Sequence, residues 1–163
     1  MIKLRKKIKK GLEKKVKLTY ISSRGDWFFK SWKGNNKLSG GITTNIGIHF
    51  FDLLIWLFGK VNYIKVKKHN QYSVSGLLSL ENAKVDWFVS ISSFDLPKSY
   101  KKKNINTYRS LKLDNKEIEF SKNFTNLHDL SYKRILQGKG FGINEATNSV
   151  KLCEKIRLSI NNE

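Results

Sequence analysis

Apolar and polar residues alternate through 16–23 (VKLTYISS), which predicts a strand. A helical period takes over at about residue 41 and runs to 58, where Gly59 stops the predicted helix. Three strand-like runs follow: 61–68 (VNYIKVKK), 72–80 (YSVSGLLSL) and 83–92 (AKVDWFVSIS). Only Glu81-Asn82 separates the last two, the length of a hairpin turn. Two short strands, about 107–113 and 116–120, meet at Asp114-Asn115, a pair suited to a type I′ turn. Two helices close the chain. The first, 125–137, offers Leu127, Leu130 and Ile135 to the core. The second, 143–160, offers Ala146, Val150, Cys153, Ile156 and Leu158. Residues 24–40 read as a loop, as does the basic stretch 95–105 with Pro97 and the Lys101–Lys103 run. At the N-terminus, Ile2, Leu4, Ile8 and Leu12 are spaced for one face of an amphipathic helix. There is no internal repeat and no linker.

Strand, helix, a run of antiparallel strands and two final helices make an α+β pattern, not the alternation of a parallel sheet. Length and composition agree. The chain has 163 residues, 39% of them hydrophobic, enough for one domain with a real core. A lone cysteine, Cys153, excludes an intramolecular disulfide framework and a cysteine-cluster zinc site, and a reducing compartment is the simplest reading.

The charge changes the picture less than its size suggests. Thirty-two cations against 13 anions give +19, but 27 of the cations are Lys and only 5 are Arg. Arg is the usual choice for bidentate phosphate or base contacts, so its scarcity weakens a nucleic-acid reading. Residues 1–17 carry nine cations and one anion, with no bulky aromatic to anchor them on a membrane. The longest apolar stretch, 42–58, is interrupted by Asn45, His49 and Asp52 and falls short of the ~20 residues that span a bilayer.

Candidate chemistry centres on residues 39–59, SGGITTNIGIHFFDLLIWLFG. On a helix, Ile42, Ile46, Phe50, Leu53 and Leu57 form the core stripe, and Asn45, His49, Asp52 and Trp56 a second stripe beside it. Asn45 or Asp52 is spaced to hold one nitrogen of the His49 ring and leave the other to act as a base. Spacing alone equally describes a half-buried histidine with ordinary hydrogen bonds, and favours it. No metal site is indicated, because His69 and His128 lie far away in sequence. The preceding loop, RGDWFFKSWKGN, sets Arg24, Lys30 and Lys33 among Trp27, Phe28 and Trp32. Aromatic planes with cations suit a ligand carrying a ring and phosphates, or single-stranded nucleic acid; tryptophans packed on the sheet are the plain alternative. Tyr72, Trp87 and Phe88 read as sheet packing. GKGFGI, 138–143, falls between two helices and so makes no case for phosphate binding.

Together these residues resemble a family. Residues 39–59 are similar to the GGGxxxDxGxHxxDxxxWLFG signature in the C-terminal domain of the glucose–fructose oxidoreductase / inositol dehydrogenase / MocA family. With RGDWFFKSWKGN, ENAKVDWFVSI, IEFSKNFTNLHDLSY and GKGFGINEA, the pattern resembles the branch acting on UDP-N-acetylglucosaminuronate, NAD-dependent 3-dehydrogenases that feed synthesis of bacterial surface polysaccharide sugars. The resemblance runs from about residue 16 to the C-terminus. It implies an open, mainly antiparallel sheet with helices packed on one face, as in dihydrodipicolinate-reductase-like and glyceraldehyde-3-phosphate-dehydrogenase-like C-terminal domains.

The resemblance also implies roles. His49 matches the active-site histidine. Asn45 stands where many members have Asp and is expected to position substrate. Asp52, Gly40 and Gly41 are expected to support the site, with Lys33, Arg24 and Trp32 as substrate-binding candidates. In the family a dinucleotide-binding domain comes first and supplies the glycine-rich loop and a catalytic lysine in a Glu-Lys-Pro motif, so the proton of the sugar C3 hydroxyl is expected to pass to His49, to that lysine or to both. Neither motif is in this sequence, whose only proline, Pro97, follows Leu96. The chain is therefore expected to be a C-terminal piece: 1–15 a basic helical segment from the interdomain region, 16–163 a substrate-binding and oligomerisation domain, with no Rossmann domain and no activity alone. NAD would be held mainly by the absent domain, and no metal is implied. The expected partners are a nucleotide sugar, a second copy through the sheet, and a separate dinucleotide-binding chain, in the cytoplasm, without nucleic acid or membrane. A stand-alone basic module binding nucleic acid and a non-catalytic scaffold remnant are the alternatives.

Overall fold

The computed structural model describes residues 4, 5, 8, 12–114, 116–120 and 127–161. Its centre is a six-stranded sheet: β1 (Lys14–Ser22), β2 (Val61–His69), β3 (Ser73–Leu80), β4 (Ala83–Ser90), β5 (Thr107–Leu113) and β6 (Lys116–Glu119), in the order β2-β3-β4-β1-β5-β6. Each consecutive hairpin is antiparallel. β1 sits between β4 and β5, parallel to the first and antiparallel to the second. One parallel pairing in an otherwise antiparallel sheet is what the chain order produces: after β1 the chain leaves the sheet for the long helix and returns through three strands.

The predicted alternation decides which face is covered. Val16, Leu18 and Tyr20 of β1 turn inward while Lys15 and Lys17 are exposed. Their neighbours in register, Val85 and Trp87 on β4 and Leu111 on β5, are buried on the same face. Trp87 and Phe88 therefore part company: Trp87 is core, and Phe88 is half-buried on the opposite face.

The long helix covers that inner face. Gly41 and Ile42 open it, a π-helical turn spans Thr43–Gly47, and α3 (Ile48–Phe58) completes it. Before it come two single turns, α1 (Trp27–Lys30) and α2 (Asn36–Ser39), with a 3₁₀ turn Trp32–Gly34 between them, where the sequence reads as plain loop. Within the basic stretch 95–105 lies α4 (Lys98–Lys102). The chain ends with α5 (Leu127–Leu136) and α6 (Ile143–Asn161).

The core is wider on α3 than the predicted stripe. Ile42, Ile46, Phe50 and Leu57 are buried as expected and Leu53 is half-buried, but Phe51, Leu54 and Phe58 are buried too. The reason is that the helix is covered on two sides, by the sheet and by α6. Phe51 meets Trp87 edge-on at 5.3 Å, and Phe50 meets Tyr20 at 4.4 Å. By length and composition alone the 23-residue helical stretch Asn36–Phe58, whose most apolar 18-residue window has mean hydropathy 1.4, could cross a membrane, contrary to the count of interrupted apolar residues. Half of its most apolar window is buried in this fold, as a core helix requires.

The last two helices correct the expected core. On α6 the buried residues are Ser149, Leu152, Cys153 and Ile156, a helical stripe facing α3 and β2. Ala146, Val150 and Leu158 are exposed because they lie off that stripe. Leu127, Leu130 and Ile135 of α5 are all exposed, since among the described residues nothing lies over that helix. The first strand also begins earlier than the expected boundary at 16: Lys14 and Lys15 already pair with β4. Leu4 is helical, and Leu4 and Ile8 pack on the core edge, but Leu12 is exposed and non-helical, and Ile2 lies outside the described residues.

Candidate functional site

Two glycines shape the entrance to the long helix. Gly40 caps α2 with φ +73° and Gly41 follows at +77°, both in the left-handed region that favours glycine. A Cβ on Gly40 would lie 2.6 Å from Thr44 Oγ1, whose hydroxyl donates to Gly40 O at 2.9 Å. The π turn comes next. Such turns recur at functional sites because they break the regular helical register. Here Asn45, inside the turn, is half-buried, and His49, in the first turn of α3, is exposed, while Ile46 and Phe50 beside them are core. Asn45, His49 and Asp52 thus keep the open stripe that their spacing predicts, whereas Trp56 is half-buried, packs on the core and lies 4.6 Å from the Arg5 guanidinium.

The expected partners within that stripe are not the ones found. Asp52 is exposed and does not hold His49. Asn45 Nδ2 instead donates to Lys33 O at 3.3 Å. That bond ties the helix to the preceding turns, and among the described residues Asn45 Oδ1 has no hydrogen-bond partner. Among the described residues neither ring nitrogen of His49 is hydrogen-bonded. Both remain available to a ligand.

The preceding turns are fixed by local bonds. Ser31 Oγ donates to Phe28 O at 2.8 Å and accepts from Lys33 N at 3.3 Å. Asn35 Oδ1 accepts from Lys37 N and Leu38 N, capping α2. Phe28 is buried and anchors this segment, whereas Trp27 and Trp32 stay about half exposed, 50% and 59%. They stand over cations: the Arg24 guanidinium lies 5.8 Å from the Trp27 ring, and Lys33 Nζ lies 5.7 Å from Trp27 and 5.9 Å from Trp32. Arg24 Nε is buried with no hydrogen-bond partner among the described residues. A buried donor left unpaired is costly, and a ligand acceptor would satisfy it.

Most of the predicted residues therefore belong to connected pieces: Arg24, Trp32 and Lys33 on the turns, Gly40 and Gly41 at the helix entrance, Asn45 and His49 on the helix. Three more cationic or imidazole side chains, Lys37, His69 and Arg157, meet Lys33 around a cavity of about 440 Å³. They come from separate segments, and no spacing in the sequence signals their meeting. No cluster of His, Cys, Asp and Glu fit for a metal occurs among the described residues. GKGFG, 138–142, lies exposed between α5 and α6 with no strand before it, so it does not fit the cradle of a dinucleotide phosphate.

The fold that carries these residues has counterparts among known proteins. The family model described as "Oxidoreductase family, C-terminal alpha/beta domain" (GFO_IDH_MocA_C) matches residues 5–89. The chain belongs to this oxidoreductase family. It is similar to the WlbA (WbpB) dehydrogenase from Thermus thermophilus in complex with NAD and alpha-ketoglutarate, at 42% identity and a TM-score of 0.89, over 96% of this chain and 51% of that one. It is similar to the same dehydrogenase in complex with NAD and UDP-GlcNAcA, at 41% identity and a TM-score of 0.88, over 96% and 50%. The WlbA dehydrogenase from Bordetella pertussis, at 15% identity, shares the fold, with a TM-score of 0.71 over 99% of this chain and 59% of that one. This member of the family thus spans about half the length of the Thermus structures. Its mixed sheet with helices is the α+β fold of the family's C-terminal domain.

Proposed function

We propose that this domain binds a UDP-N-acetylated uronic acid and takes part in oxidising its sugar C3 hydroxyl, a step in making bacterial surface polysaccharide sugars. One observation carries the reading: Asn45 and His49 stand together on an open stripe, and Asn45 is bonded to the same turn that presents Lys33, Trp27, Trp32 and Arg24. The similarity to a dehydrogenase solved with NAD and UDP-GlcNAcA supports the choice of ligand.

The residues divide the work. His49 accepts the proton of the C3 hydroxyl, since neither of its nitrogens is engaged by the protein. Asn45 Oδ1 orients the sugar, an amide being unable to take the proton itself. Lys33 and Arg24 hold anionic groups of the substrate, and Trp32 supplies a flat wall. NAD is the hydride acceptor in this reading. The described residues contain no strand–glycine loop–helix cradle for it, so this chain is assigned the proton and binding parts only. The dinucleotide would be held by a further domain or a separate chain. In the same reading residues 16–163 act as the substrate and oligomerisation domain, in the cytoplasm. The uncovered sheet face, with Tyr63, Leu77 and Phe88, is the expected contact with a second copy.

The chain has three histidines, and their ring signals in NMR provide the test. Titration with UDP-GlcNAcA is expected to shift His49 and leave His128, exposed on α5, unmoved. An unmoved His49 at saturating sugar nucleotide would defeat the reading. Tighter binding of single-stranded DNA than of the sugar nucleotide would favour the basic-module alternative.

A further inference from the structure

Between β4 and β5 the chain turns an aromatic ring and a group of lysines outward together. Phe94 is 87% exposed, while Leu96, two residues on, is buried and anchors the segment. A 3₁₀ turn, Ser93–Asp95, capped by the Ser92 hydroxyl, holds Phe94 in that position. α4 is fixed on one side only, where the Tyr100 ring meets Tyr108 of β5 edge-on at 5.1 Å. Lys98, Lys101 and Lys102 are spaced three and four apart, so they share the helix face turned away from Tyr100. All three are exposed, as is Lys103 at the helix end. Lys101 joins the helix to the ring: its Nζ donates to Phe94 O at 2.8 Å and lies 5.9 Å from the ring centre. Four lysines stand against one acid in 93–104, and that acid, Asp95, accepts from the Ser90 hydroxyl at 2.6 Å. Among the described residues none of the four lysines is ion-paired; the ion pairs there are Lys14–Asp114, Lys67–Asp86 and Lys84–Glu13.

We propose that this surface docks the chain on an anionic lipid bilayer, with Phe94 inserted at headgroup level and Lys98, Lys101, Lys102 and Lys103 against the lipid phosphates. A protruding ring suits a bilayer, which opens around it and needs no shaped pocket. Lysine is a point charge on a flexible stem, able to reach phosphates that hold no fixed positions. Directional contacts to nucleic acid favour arginine, and 93–104 contains none. One ring and four lysines give weak, reversible docking, as a single membrane signal does. The sequence shows the charge of this stretch but not the exposed ring, which is why it predicts no membrane contact; the fold supplies the ring. The docking surface is independent of the sugar-nucleotide reading.

Co-sedimentation of the 163-residue chain with vesicles provides the test. One set is phosphatidylcholine alone, the other equal parts phosphatidylcholine and phosphatidylglycerol. The chain is expected to bind the mixed vesicles, less so as salt rises, and not the neutral ones. Phe94→Ser should weaken that binding about ten-fold, as withdrawal of an inserted ring does. The +19 charge draws the whole chain toward any anionic surface, so two sets of three lysines are compared. Replacing Lys98, Lys102 and Lys103 together by Gln, with the Lys101 bond to Phe94 kept, should weaken binding about 100-fold. Replacing Lys17, Lys65 and Lys68, exposed on the sheet, should weaken it less than about five-fold. All of these side chains are exposed, so the fold is expected to survive each change. Absence of binding to mixed vesicles would overturn the proposal, as would Phe94→Ser binding within two-fold of the native chain. Equal losses in the two lysine sets would also overturn it, by reducing the attraction to overall charge. Single-stranded DNA bound more tightly than the mixed vesicles, with the same dependence on Phe94, would overturn it in favour of nucleic acid.

Discussion

Helices α3 and α5 begin as similar patterns and end differently. Both carry apolar residues at helical spacing. On α3 those residues are sealed between the sheet and α6, with Phe51, Leu54 and Phe58 fully buried. On α5, Leu127, Leu130, Ile135 and Leu136 all face outward, Leu136 at 87% exposure. A hydrophobic period says that a face would gain by being covered; it does not say what covers it. For α3 the chain supplies cover on both sides, because three strands and α6 follow it. For α5 no described element does. The open flank of the same long helix also carries Asn45, in its π turn, and His49, on α3, so the best-packed helix is the one that presents the candidate site residues.

The contrast breaks most sharply on a pair of leucines. Leu54→Ala on α3 should cost about 2–5 kcal/mol, the range for truncating a buried leucine. Leu130→Ala on α5 should stay within about 0.5 kcal/mol, as surface changes do. Urea unfolding of both variants checks it, and equal losses would mean that α5 is covered in solution.

Gly40→Ala tests the entrance to the same long helix. The left-handed backbone there costs a residue with a Cβ about 1–2 kcal/mol, and the Thr44 hydroxyl stands in the way. Gly138→Ala, before α6, also has positive φ but nothing within 4 Å of the added carbon, so it should cost less. Thermal melts of the two variants compare steric crowding with backbone strain alone.

Cys153 gives a gentler probe of the packing between α3 and α6. Its thiol lies 3.5 Å from Thr43 O, and burial pushes its pKa up to about 12. The folded state keeps the proton and the unfolded chain loses it near pH 8.5–9, roughly the free thiol's value. That contribution is intact below the unfolded value and declines as pH rises toward about 12. Stability measured from pH 7 to 10.5 should fall less steeply in Cys153→Ala than in the native chain. Identical slopes would show the thiol to be accessible.

The smallest effect concerns self-association. The exposed apolar residues of α5 favour it, and the +19 charge opposes it at low salt. Sedimentation should show more association at high salt, relieved in part by Leu130→Glu. No salt dependence would indicate that α5 stays unpaired.

Much of this architecture is written in local patterns. Strand alternation in VKLTYISS and AKVDWFVSIS, the Glu81-Asn82 turn and the stop at Gly59 are each set by residues close in sequence. The site stripe is legible for the same reason: Asn45 and His49 share one helix. What escaped depends on distant packing. The breadth of the α3 core follows from cover on two sides, so a single stripe omits Phe51 and Leu54. Val150 and Leu158 look like core by type, but the contact with α3 selects Ser149 and Leu152 instead. The π turn has no composition signal, and the Asn45–Lys33 bond spans a loop whose short helical turns were not evident. The cations around the cavity are joined only by the fold, since Lys37, His69 and Arg157 lie on α2, β2 and α6.

The central claim, that this domain places His49 as the proton acceptor of a sugar oxidation, is tested most directly in a chimaera. It joins this chain to the half of the Thermus thermophilus relative that the chain does not match. Turnover of UDP-GlcNAcA with NAD is then measured for the chimaera and for its His49→Asn variant. Loss of a general base lowers turnover by about 10²–10⁴-fold. His49 is exposed beside the core stripe, so the fold and the apparent affinity for the sugar nucleotide should change little. The account predicts that pattern, a fall in kcat with KM nearly constant. Undiminished turnover in His49→Asn, with Asp52→Asn abolishing it in a folded protein, would contradict the account and make Asp52 the acceptor.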